Sequence, residues 1–73
     1  MRKGYEMNTG ERIKELREKQ GISVYRLSRL AGIPETTIRN WENQGFEPTF
    51  INYQKIVNAL GYEIELVKKG VNK

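Results

Sequence analysis

Between Glu35 and Asn43 the chain gathers Glu35, Thr36, Thr37, Arg39, Asn40 and Asn43 around only two large apolar residues, Ile38 and Trp41. Each of these polar types has a partner on a base edge. Arg grips guanine O6 and N7, Asn pairs with adenine N6 and N7, Thr meets the thymine methyl, and Glu accepts from cytosine N4. In a helix, Ile38 and Trp41 lie three apart on one side with Thr37 beside them. Glu35, Thr36, Arg39, Asn40 and Asn43 then fall on the other. Such a helix can bury a narrow stripe and leave a polar face free to read bases. The plainer reading is a solvated face, the commonest fate of a polar run, so the surroundings have to decide.

Composition removes most other chemistry. The chain has 73 residues and no His, Cys or Asp. Nucleophilic triads, zinc sites and disulfides cannot be assembled from what is left, so neither an enzyme nor a metal or other cofactor is expected. One small domain is the natural count. A domain of this size buries little surface, and with disulfides and metals excluded a partner chain becomes the natural source of extra stability. No apolar run is long enough for a membrane span or a signal peptide. With no cysteine, the expected place is the reducing cytoplasm. The formal net charge is +4 and the sequence pI is near 9.6, a balance that favours a polyanion such as nucleic acid but also fits many small domains.

The elements that would carry the polar helix can be read from caps and periods. "TGERIKELREKQG" predicts a helix capped by Thr9, helped by Glu11 and ended at Gly21, with Ile13 and Leu16 as its apolar face and Gln20 one turn on. "SVYRLSRLAG" predicts a second, capped by Ser23, with Val24, Leu27, Ser28 and Ala31 on one side and Gly32 stopping it. Pro34 disfavours helix at Ile33 and is tolerated in a first turn, so the chain changes direction between the second helix and a third over 34–43. After the loop "QGFEP", Thr49 caps a fourth helix, "FINYQKIVNAL". Its apolar stripe is Phe50, Tyr53, Ile56, Val57 and Leu60, and Gly61 ends it. "YEIELV" then alternates Tyr62, Ile64 and Leu66 with Glu63 and Glu65, a strand pattern. The organisation is an arm over 1–8, a helical domain over 9–61 and a C-terminal strand and tail over 62–73. The fold class is therefore mainly all-α, with about four helices and one β-strand.

Two short helices joined by a tight Gly-containing turn make a helix-turn-helix, whose second helix enters the DNA major groove. From Gly10 to Leu60, about two-thirds of the chain, the sequence resembles the lambda repressor–Cro family of Xre-type helix-turn-helix domains. "ERIKELREKQGIS", "LSRLAGIPETTI", "WENQG", "PTF" and "KIVNALG" follow in the family's order and spacing. Small Ser28, Gly32 and aliphatic Ile38 stand at the helix crossing, the turn and the core. The resemblance implies base contacts from Glu35, Thr36 and Asn40, with Thr37 and Arg39 close to the groove. It implies phosphate contacts at Asn43 and at the start of the fourth helix, Thr49 and Phe50, where helix N-terminal amides meet an anion. It also implies an ion pair between Arg17 and Glu42. The chain departs from many relatives in carrying Val24 where they have a phosphate-binding Gln, and Gly45 and Phe46 where they have Lys or Arg. Arg26, Arg29 and the basic Arg2–Lys3 arm are candidates to replace that attraction.

A lone strand leaves its backbone groups unpaired, so the tail needs a partner strand. The candidates are its own copy in a second subunit, through Tyr62, Ile64 and Leu66, or residues 4–7 of the arm. The ending resembles HipB-type antitoxins, whose terminal strands pair across a dimer. The resemblance as a whole implies a homodimeric, sequence-specific transcriptional repressor of double-stranded DNA, cytoplasmic and at the bacterial nucleoid. The alternative is an antitoxin that binds a toxin protein and regulates its own operon.

Overall fold

A computed structural model describes residues 7–66 and 68. Among them are four helices and no strand: α1 (Thr9–Lys19), α2 (Val24–Ala31), α3 (Glu35–Gln44) and α4 (Phe50–Ala59). The all-α architecture follows the sequence closely, because most boundaries rest on side chains that satisfy open helix amides. Ser23 Oγ accepts from the Arg26 N–H at the start of α2, and Thr49 Oγ1 accepts from the Asn52 N–H at the start of α4. At α1 the cap is Asn8, one residue before the expected Thr9. Asn8 Oδ1 accepts from the Glu11 N–H at 2.8 Å, and Glu11 Oε1 accepts from the Asn8 N–H at 3.2 Å, a reciprocal capping box. Asn8 therefore closes the first turn of α1.

α1 and α2 both pack on α3, and α4 packs on α2. Ile13, Leu27, Ile38 and Ile56 are fully enclosed, and Val24, Ile33, Trp41 and Leu60 complete the cluster. One approach within it is unusually close. Gly10, in the first turn of α1, lies so near the backbone of Trp41 that a Cβ there would collide with the Trp41 carbonyl. α1 can cross α3 at this distance only because residue 10 has no side chain. Gln20 ties the far end of α1 to α4, its Nε2 donating to the Leu60 carbonyl at 2.6 Å.

Two further sequence expectations change. The period of α4 puts Phe50 on its apolar stripe, but the residue is largely exposed. It is the first residue of the helix, ahead of the turns that reach the core, so periodicity alone misplaces it. The strand expected at 62–67 is absent among the described residues: Tyr62–Leu66 form no ladder, and Val67 lies outside the described residues. A strand needs a neighbour for its N–H and C=O groups, and none stands beside 62–66 among the described residues. Residues 4–6, the other proposed neighbour, also lie outside the described residues.

Candidate nucleic-acid interface

α3 is built to be presented. Its start is set by a turn that Ser28 holds from two directions. The Ser28 carbonyl accepts from the N–H groups of Gly32 (2.8 Å) and Ile33 (3.2 Å), while Ser28 Oγ donates to the Ile33 carbonyl at 2.6 Å. Gly32 takes φ +72°, a left-handed conformation costly for any residue with a Cβ. Ile33 is buried beneath the turn, and Pro34 leads directly into α3. The sequence marks Ser28 as a small residue; its hydroxyl bond to the turn is a role that size does not show.

The inner side of α3 is fixed by Ile38, Trp41 and Glu42, all buried. Glu42 would be costly there without a partner. Arg17 supplies one in a two-toothed pair, Nε to Oε2 and Nη2 to Oε1, both at 2.9 Å. Arg17 Nη1 also donates to the Ile22 carbonyl at 2.8 Å. The hydrogen bonds to Glu42 hold the Arg17 guanidinium above its ordinary pKa, against the opposing effect of burial. α1, the α1–α2 loop and α3 are thus joined at one guanidinium, which sets the rotation of α3 about its axis.

That rotation decides what faces outward. Thr36, Arg39 and Asn43 are exposed, Asn40 is half-buried beside them, and Glu35 and Thr37 form the edges of the same face. Arg39 Nη2 donates to Glu35 Oε1 at 3.1 Å. At the start of α4, Thr49 and Phe50 are exposed, and the first amides of that helix have no carbonyl before them to bond. Arg26 and Arg29 on α2 are exposed and have no ion pair among the described residues. Among the described residues no cluster of acidic side chains could hold a metal ion, and no helix is long and apolar enough to cross a membrane.

The sequence model of the helix-turn-helix family matches residues 13–67, which takes in all of α2, the turn, α3 and α4. The chain belongs to the helix-turn-helix family. No curated protein and no solved structure matches it. Within the family it is of the Xre, lambda repressor-like type, a DNA-binding regulatory domain. In this helix-turn-helix protein the residue that sequence reasoning missed altogether is Gly10. A glycine inside a helical period reads only as a weak helix former, and nothing local announces that another helix crosses there.

Proposed function

We propose that the protein is a sequence-specific transcriptional repressor that binds double-stranded DNA as a homodimer, with α3 in the major groove. The observation that carries this reading is the division of α3. One side is locked by Ile38, Trp41 and the Arg17–Glu42 pair, and the other presents Thr36, Arg39, Asn40 and Asn43 together. A merely solvated face needs no such rotational lock. Arg39 and Asn40 are the base readers, with Thr36 and Thr37 beside them. Asn43, Thr49 and Phe50 lie where phosphates run, the last through the open amides of α4. The exposed Arg26 and Arg29 supply sequence-independent attraction.

Selection of binding sites from random duplex DNA tests this directly. A consensus with two-fold symmetry is the expected outcome, and Arg39→Ala and Asn40→Ala should each relax one position by about 1–3 kcal/mol of discrimination. An unchanged consensus in both variants would remove α3 from the reading role.

A second reading rests on the tail. Leu66 is completely exposed and Tyr62 nearly half so, an apolar surface that a toxin protein could cover in an antitoxin. A toxin-like gene next to this one, together with a complex that forms without DNA, would favour it.

A further inference from the structure

Glu35 and Arg39 stand one helical turn apart on the outward face of α3, joined by the 3.1 Å bond from Arg39 Nη2 to Glu35 Oε1. Arg39 is exposed and Glu35 partly so, and the pair adds little to stability. Its order is the favourable one, acid before base at i and i+4. The acid also lies in the first turn of a helix whose N-cap, Pro34, makes no side-chain cap, so the open amides draw the carboxylate to that end independently of Arg39. Glu35 is therefore the better anchored of the two. The other polar residues on this face, Thr36, Asn40 and Asn43, are uncharged, and none of them competes for either partner.

A guanidinium carries donors on more than one edge, and guanine takes a pair of them through O6 and N7. One Nη2 hydrogen given to Glu35 leaves the remaining donors available. The neighbouring carboxylate has an opposite effect on the other ligand an arginine could take. It repels a phosphate, while a neutral guanine edge meets no such repulsion. Building on α3 as the base-reading helix, we propose that Glu35 is a positioning residue that reads no base of its own. It holds Arg39 so that the guanidinium meets one guanine and is kept from the phosphates.

Sparing a long side chain its immobilisation on binding is worth roughly 2- to 12-fold in affinity. Sites should be selected from random duplex DNA with the full chain carrying no change, Glu35→Gln, Arg39→Gln, or both. Affinities for the consensus and for duplexes altered at single base pairs should then be measured across salt concentrations. Arg39→Gln should erase a guanine preference at one base pair. Glu35→Gln should weaken the preference at that same base pair by roughly 2- to 12-fold. It should also steepen the log–log salt dependence by up to about 0.9, the effect of one added phosphate contact, as the released Arg39 reaches the backbone. In the double variant Glu35→Gln should add nothing further. Because neither residue is buried, unchanged helical circular dichroism should accompany every result. If Glu35→Gln instead alters a different base pair, and its effect multiplies with that of Arg39→Gln, Glu35 is an independent cytosine reader and the proposal falls while the DNA reading stands. If the unchanged chain selects no consensus, the DNA reading falls first, before any variant is compared.

Discussion

Trp41 could in principle have served the surface, by stacking on DNA or a partner, or the core. Its 5% exposure places it in the core. Trp41→Ala should therefore cost about 3–5 kcal/mol, a large part of the roughly 4–11 kcal/mol that about 0.05–0.15 kcal/mol per residue gives a chain of this length. Urea unfolding followed by circular dichroism would show it, and native-like stability with DNA binding lost would return Trp41 to the surface. Gly10 sets two effects against each other. Helix propensity favours Ala over Gly by about 1 kcal/mol, but the Cβ of Gly10→Ala would meet the Trp41 carbonyl, which is backbone and cannot swing away. Overpacking of this kind costs about 1–3 kcal/mol or more, so the net change should be destabilising. A raised melting temperature would show that α1 can shift to make room. At the ion pair, Arg17→Met should cost about 3–5 kcal/mol by leaving the Glu42 carboxylate buried alone, whereas Arg17→Met with Glu42→Leu should recover much of the loss. The folded pKa of Arg17 is raised, so its contribution is complete below the ordinary arginine range and is lost only as pH rises beyond it. The stability that the Arg17 guanidinium contributes should therefore be flat across neutral pH. These residues also show what a sequence can disclose. Ile38 and Trp41 follow from spacing, whereas the need for Gly10 arises only where two helices cross.

At the level of elements, two helix starts could be read because a capping side chain stands beside a change of period. Ser23 and Thr49 are the only capping types at their boundaries, and the structure uses both. At α1 the sequence points to Thr9 for the cap, although the adjacent Asn8 is equally competent for it. Asn8 wins it through the geometry of its box with Glu11. Asn8→Ala should accordingly lower stability by about 0.5–2 kcal/mol, and Thr9→Ala by much less. Thermal melts of the two variants distinguish these outcomes, and equal losses would mean that the cap is shared. The polar face of α3 was legible as a face from spacing alone. Its rotation was not legible from spacing; the family resemblance pointed to it through the ion pair of Arg17 with Glu42, which the structure shows. Phe50 shows the converse error, a residue in register with a stripe yet one turn too early to share it.

For the whole molecule the open matter is what covers the tail. Tyr53, Val57, Tyr62 and Ile64 line a groove of about 260 Å³ that Leu16 and Arg12 close from α1, so the tail begins against the body of the domain. The backbone secures that beginning, with the Tyr62 N–H donating to the Val57 carbonyl at 2.8 Å. Two residues past Ile64 the apolar alternation ends on Leu66, entirely exposed. Leu66 is not packed on the described residues of its own chain, which makes it a clean probe of association. In the proposed dimer the tails pair about a two-fold axis, and that axis sets the two copies of α3 roughly 34 Å apart, one turn of DNA. Leu66→Lys should then shift the solution mass from dimer toward monomer while leaving the helical circular dichroism unchanged. Ile64→Pro, which removes a ladder N–H, should do the same. A chain cut after Tyr62 keeps the bond that closes α4 and should be monomeric at concentrations where the full chain is paired. Each of these variants should also lose affinity for a two-half-site duplex far more than for a single half-site, because only the linkage between the α3 helices has been broken. Should dimers survive all three changes, association must run through a helix face, and the exposed Phe46, Phe50 and Ile51 around the start of α4 become the surface to alter next.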